Sequence, residues 1–285
     1  MSEVAYILGH SELEMQRLVL QARIIKPFTE RLLREAGIGP GMRVLDLGCG
    51  AGDVAMMAAE HVGPNGVVVG IDRNAGALAS ARERACQGSY SNICFHHGAV
   101  EDFRDPVPFD LAIGRYILMH QANPGAFIRS AASHVRHGGV VAFQEPSLLP
   151  AGAVAIAFHE PSLSDVDQVL PTVALHRQCL DWIGTAAASA GARLDSTDHI
   201  EWHFRAEGLK PHFFWEIPVG DDSETPILAW VASTVRSVLP QLEKCGAASP
   251  EQIDIETLEE RLREAVRAAN VQVFGFPQMC CWAMV

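Results

Sequence analysis

V-L-D-L-G-C-G-A-G-D, from Val44 to Asp53, is the stretch that decides how this 285-residue chain folds. Arg43–Leu47 is a short apolar run of the kind that forms a buried strand. It passes straight into a G-x-G-x-G turn and then into Val54–His61, which is expected to be a helix. Glycines in such a turn let the backbone approach a ligand closely and adopt dihedrals that a Cβ would forbid. The helix behind the turn offers unpaired N–H groups at its first residues.

The same rhythm continues downstream. Val67–Ile71, Ile93–His97, Leu111–Gly114 and Val140–Gln144 are expected as strands, with helices at Ala75–Ala85 and Pro124–Val135. Strands alternating with helices imply crossovers and a parallel sheet. After Glu145 and Pro146 the rhythm changes. Pro161–Asp167 is loop-like, and helices are expected at Thr172–Ala190, Ser196–Ala206, Thr225–Leu242 and Ile255–Ala269. His212–Ile217 and Gln278–Val285 are expected to complete the sheet. Upstream, residues 11–36 have apolar residues at helical spacing, and Pro27 is expected to break or kink that segment into two helices. The chain thus divides into an N-terminal helical arm or lid (1–36), an α/β core (37–147), a helical cap insertion (148–205) and a completing segment (206–285) with further cap helices at 222–270.

Two carboxylates sharpen the reading of the glycine turn. Asp46 lies just before it, where a carboxylate would repel a pyrophosphate but suits an ammonium group. Asp72 closes the next strand, where a carboxylate accepts hydrogen bonds from the two hydroxyls of a ribose. An amino-acid ammonium at one end and a ribose at the other describe S-adenosylmethionine (SAM). The dinucleotide alternative needs a third glycine three residues after the second, and that position is Asp53.

Val44 to Asp72 resembles motif I and the acidic loop of class I SAM-dependent methyltransferases. G-I-G-P-G-M-R-V-L-D-L-G-C-G-A-G-D, the R-H-G-G-V-V-A-F turn and the upstream Y-I-L-G-H-S-E-L-E arm are similar to bacterial small-molecule methyltransferases of the type-11 and quinone-biosynthesis-like groups. The resemblance implies a Rossmann-like α/β fold: a seven-stranded, mostly parallel sheet with one antiparallel strand, a helical N-terminal arm and a helical cap. It also implies that Gly48, Cys49 and Gly50 line the methionine part of SAM, that Asp72 binds the ribose and that Arg73 flanks the adenine. The loop after the third strand reads Gly98-Ala99-Val100-Glu101 rather than Gly-Asp-x-x. There the Val100 N–H is expected to meet the adenine, with Glu101 or Asp102 replacing the missing carboxylate.

The remaining candidates lie at the carboxyl ends of the strands or on helices. Arg115 is expected to contact the SAM carboxylate or an acidic substrate, with Tyr116 beside it. Glu145 and His120 are candidate bases for an acceptor that must lose a proton. Tyr6 and His10 sit on an arm that resembles an active-site cover, and Gln21 is placed to face the cofactor carboxylate. His176 and Trp182 are substrate-side candidates on the cap, although aromatics at helical spacing more often fill a core.

Composition narrows the partners. A net charge of −12 repels phosphate backbones, so nucleic acid is not the expected substrate. No apolar run approaches the ~20 residues that span a bilayer, and Met1–His10 does not read as a signal peptide. The seven cysteines form no C-x-x-C pair and no metal-ligand spacing, so reduced thiols in a cytoplasm and a reaction without metal are expected. The sequence leaves a homodimer open. The expected activity is methyl transfer from SAM to an O, N or C atom of a small organic molecule, with a secondary metabolite as one candidate. The alternatives are a SAM-fold enzyme with changed chemistry, such as a cyclase, and a non-catalytic SAM-binding protein.

Overall fold

The computed structural model describes residues 12–147, 173–192 and 199–285. In chain order the main elements are α1 (Glu12–Glu35), β1 (Arg43–Leu47), α2 (Asp53–Val62), β2 (Val67–Asp72), α3 (Ala75–Gln87), β3 (Ile93–His97), β4 (Phe109–Arg115), α4 (Pro124–Ser133) and β5 (Val135–Pro146). They continue with α5 (Ala174–Ser189), α6 (Ile200–Ala206), β6 (His212–Glu216), β7 (Val219–Gly220), α7 (Pro226–Cys245), α8 (Pro250–Ile253), α9 (Leu258–Ala269), β8 (Val273–Phe274) and β9 (Gln278–Met284). The chain forms two compact units. One contains residues 26–145, 195–215 and 279–285, the other residues 1–25, 146–194 and 216–278.

The first unit is built on a seven-stranded sheet in the order β3-β2-β1-β4-β5-β9-β6. The pairs β1–β2, β1–β4, β2–β3 and β4–β5 are parallel. β9 runs antiparallel to β5: Ser147 N–H donates to Pro277 at one end and Val285 N–H to Gly139 at the other. The central strands β1, β2 and β4 are largely apolar because both of their faces are covered. Leu45, Leu47, Val69, Ile71 and Phe143 point to one face, where Phe127 and Ile128 of α4 and Phe204 of α6 meet them. Val44, Val68, Leu111, Ile113 and Ala142 point to the other, against Leu32 and Leu33 of α1 and Val54, Ala55 and Ala58 of α2. This period of two along each strand fixes the register.

The register sets the carboxyl ends of four strands side by side. Leu47 pairs with both Ile71 and Gly114, and Arg115 pairs with Gln144. Strand order reverses between β1 and β4, and in open α/β sheets such a switch point is where ligands bind.

The second unit is mainly helical. α5 and α7 pack together over a core that includes Cys179, Ile183, Trp230, Val231 and Val235, with Leu262 and Val266 from α9. β7 and β8 form an antiparallel hairpin. Glu14 and Arg17 are buried here as an ion pair at 2.6 Å, and the Ser237 hydroxyl donates to the same carboxylate.

Several expectations are corrected. Pro27 does not divide the first helix, which is one element from Glu12 to Glu35. A proline removes a single ladder hydrogen bond, and buried Ile25 and Leu32 hold the helix on either side of it. β5 starts at Val135 instead of Val140, because it pairs with Phe109 across an irregularity in the β4 register. The last expected helix starts at Leu258 instead of Ile255, and the short α8 before it, closed by Asp254 in the left-handed conformation, was not expected. The β7–β8 hairpin was not expected. The loop expected at Pro161–Asp167 lies outside the described residues.

Candidate functional site

The turn after β1 holds its shape through the backbone. Gly48 and Gly50 have φ of 66° and 51°, and the Cys49 N–H donates to Ile71 at 2.9 Å, tying the turn to β2. A Cβ on Gly48 would strike Ile117, whereas one on Gly50 would meet no atom of the described residues within 4 Å. Space on the Gly50 side is therefore open to a ligand. Burial and the neighbouring carboxylates push the Cys49 thiol far up, so it stays protonated and serves as packing.

Asp46 sits under this turn, 1% exposed. Its Oδ2 has no hydrogen-bond partner. Burial pushes its carboxyl from 3.8 up to about 7; the Arg115 guanidinium and the Ala55 backbone oppose the rise, and Asp72 and Asp53 add to it. An orphaned buried carboxylate oxygen calls for a donor or a cation.

Asp72 ends β2. Its Oδ2 accepts from the Gly50 N–H at 2.8 Å and its Oδ1 from the Asn74 N–H at 2.7 Å. Each carboxylate oxygen offers two acceptor positions, so both retain capacity for a hydroxyl. Next to it, Arg73 donates to Glu101 at 3.2 Å, and the His97 ring lies 2.9 Å from the Arg73 carbonyl. Ala99 is extended and leads into a short turn, Val100–Asp102, in which Val100 is buried. The carboxylate expected from Glu101 is thus paired with Arg73 at the surface.

At the end of β4, Arg115 is 11% exposed. It donates to the Thr29 hydroxyl at 3.2 Å and lies 3.9 Å from Asp53. Thr29 in turn donates to Gln144 Oε1 at 2.6 Å. Tyr116 follows with φ of 57°, a conformation a bulky side chain rarely takes and one that clusters at functional sites. Glu145 is fully buried and accepts from the N–H groups of Ile117 (2.9 Å), Leu118 (2.8 Å) and Met119 (3.4 Å). Burial raises its carboxyl to about 7 against these bonds. His120 lies in the same turn, and burial lowers its pKa, so its ring is neutral and able to accept a proton.

The sheet unit therefore brings together Asp46, Gly48, Cys49, Gly50, Asp72, Arg73, Ala99, Val100, Glu101, Arg115, Tyr116, His120 and Glu145 along its carboxyl-end edge. Gln21 belongs to the helical unit, where its Oε1 accepts from Arg17 at 2.8 Å. His176 and Trp182 are on α5 of that unit. His176 is buried with Nε2 unpartnered and its pKa pushed down to about 4. Tyr6 and His10 lie outside the described residues. Sequence reasoning passed over Thr29 and Asp53. Thr29 carried no signal, but Asp53 stood as an acidic first residue of the helix behind the turn. Among the described residues no three His, Cys, Asp or Glu side chains gather as metal ligands, and no helix is long and apolar enough to cross a membrane.

Comparison with known proteins identifies the family. The family described as "Methyltransferase domain" matches residues 38–185. Aklanonic acid methyltransferase DauC of Streptomyces sp. (strain C5) is 34% identical over 128 residues, 45% of this chain and 58% of that protein. A ubiquinone biosynthesis O-methyltransferase of Glaesserella parasuis serovar 5 (strain SH0165) is 34% identical over 107 residues, 35% of this chain and 44% of that protein. The chain spans about half the length of these curated relatives. Among solved structures, a SAM-dependent methyltransferase from Geobacter sulfurreducens in complex with S-adenosyl-L-homocysteine superposes with a TM-score of 0.50. That match covers 91% of this chain and 90% of the other at 19% identity, a likeness of fold.

Proposed function

This chain belongs to the methyltransferase-domain family, and on that premise we propose that it transfers a methyl group from SAM to an O, N or C atom of a small organic molecule. The observation that carries the proposal is the buried, unpartnered Asp46 Oδ2 beneath an open glycine turn, with Asp72 at the end of the adjacent strand. Asp46 receives the methionine ammonium. Gly48, Cys49 and Gly50 offer backbone along the methionine, and Asp72 takes the ribose hydroxyls. Arg73, Ala99, Val100 and Glu101 surround the adenine, and Arg115 meets the methionine carboxylate. One relative is named for aklanonic acid and another for ubiquinone biosynthesis. The acceptor here is read in the same general sense, as a small organic metabolite.

SAM supplies an electrophilic methyl on sulfur, so the chain's work is to position the partners, exclude water and accept a proton where the acceptor carries one. Of the two candidate bases, His120 is the one whose role fits its setting, because burial keeps the ring neutral near pH 7. Glu145 spends its carboxylate on three backbone N–H groups and serves as a positioning residue for the turn that carries His120.

The test is a panel of small hydroxylated, amino and carbon-acid acceptors with methyl-labelled SAM. Release of S-adenosyl-L-homocysteine (SAH) together with label in one acceptor is expected. Tight SAH binding with no acceptor-dependent release from a broad panel would favour changed chemistry over methyl transfer.

A further inference from the structure

Thr29 and Gln144 are both 0% exposed, stand 115 positions apart, and share a 2.6 Å hydrogen bond. Buried hydroxyls and amides are costly unless they are satisfied, and once satisfied they fix one another's orientation. A threonine hydroxyl has one hydrogen to give. Here it goes to Gln144 Oε1, which turns an oxygen lone pair toward Arg115, and the guanidinium donates to it at 3.2 Å. Gln144 lies beside Arg115 in the sheet register, so the strand pairing itself sets where this acceptor stands. The other end of the arginine is 3.9 Å from Asp53. Asp53 is held in place by Arg84, at 2.7 Å, which also donates to the Ala51 carbonyl.

We propose that Thr29 and Gln144 are positioning residues: the buried Thr29 hydroxyl, turned by Gln144, holds the Arg115 guanidinium beside Asp53 and so sets the electrostatic field at Asp46, the pole that receives the methionine end of SAM. The proposal rests on the SAM-binding reading above. The groups that act on Asp46 are Arg115 from β4, Asp72 from β2, Asp53 and the Ala55 amide from α2, and Cys49 from the turn. Arg115 is the cation among them that favours the ionised carboxylate. With about 7 as its titration point, Asp46 is only partly ionised at neutral pH, and a small displacement of Arg115 changes how much of it can meet an ammonium. The neutral Thr29–Gln144 pair thereby governs a charge that neither residue carries.

The experiment is calorimetric titration with SAH between about pH 5.5 and 8.5, each variant read against the wild type at the same pH so that titration of the ligand's own ammonium cancels. It uses the full chain and its variants Thr29→Val, Thr29→Ser and Gln144→Leu, with a melting temperature for each. The wild type is expected to lose affinity as pH falls through about 7. Thr29→Val should shift that inflection upward by about half to one pH unit, which is roughly a two- to fivefold loss of affinity at neutrality, approaching three- to tenfold at lower pH, and little loss at the alkaline end. Gln144→Leu should move it the same way, because the freed hydroxyl hydrogen can turn toward the cation. It decides the question if Thr29→Val does not fold. Thr29→Ser should titrate like the wild type. Equal loss at every pH, or serine behaving like valine, would overturn the proposal while leaving the SAM-binding reading intact. A folded wild type that binds no SAH at any pH would overturn both.

Discussion

Replacing Asp46 with asparagine separates what this residue does for the ligand from what it costs the fold. Its carboxyl is raised in the folded chain from 3.8 to about 7, mainly by burial. A folded-state value above the unfolded one means that the fold prefers the protonated form. The stability this confers is fully present below 3.8, declines as pH rises toward about 7, and is gone above it. At about 1.4 kcal/mol per pH unit, the ionised form costs the empty protein about 4 kcal/mol at pH 8. Asparagine removes the charge but leaves a buried amide that costs about 1–3 kcal/mol where it is imperfectly paired. The expected balance is a gain of about 1–3 kcal/mol at pH 8, or about 2–10 °C in melting temperature for a chain of this size. The gain should vanish near pH 4. SAH affinity should fall by about tenfold to over a hundredfold, the worth of one charge-assisted hydrogen bond. Scanning calorimetry at pH 4, 6 and 8, paired with SAH titration, reads both effects. An asparagine variant less stable than wild type at pH 8, or one that binds SAH normally, would refute the reasoning.

Two further substitutions probe neighbouring parts of the site. Glu145→Leu removes the acceptor of three N–H groups in the turn at residues 117–119 and should cost about 2–5 kcal/mol of stability by calorimetry; loss of turnover with an unchanged melting temperature would instead make Glu145 a proton-transfer group. Gly50→Ala places a methyl where no atom of the other described residues lies within 4 Å, at φ of 51°. It should cost about 1–2 kcal/mol of stability for the backbone conformation and weaken SAH binding at least tenfold, and normal affinity in titration would show that the open space is not the ligand's.

The glycine turn, Asp46 and Asp72 were legible in the sequence because their meaning is local. A strand, a turn and a helix follow one another within a few residues, and the next strand brings its own carboxylate to the same edge. The apolar runs of β1, β2 and β4 were likewise clear, since both faces of these central strands are buried. Pro27 misled, because a proline's local penalty says nothing of the packing by Ile25 and Leu32 that carries the helix past it. The extra residues at the start of β5 were hidden by Gly138, whose φ of 76° reads as a turn and not as a strand irregularity. Thr29 could not be read at all, because its partners Arg115 and Gln144 lie far away in sequence. Glu145 was visible as a carboxylate at a strand end. Its bonds to backbone N–H groups were not, since a sequence does not show which amides a turn leaves unpaired.

The most direct test of the account is calorimetric titration of the full chain with SAH, wild type against Asp72→Ala. Asp72 accepts from Gly50 and Asn74 on one side and has acceptor capacity left on the other. The wild type is expected to bind one SAH per chain, and the variant, checked as folded by its melting temperature, to bind about tenfold to over a hundredfold more weakly. Equal affinity in the two proteins, or no binding by the wild type, would contradict it.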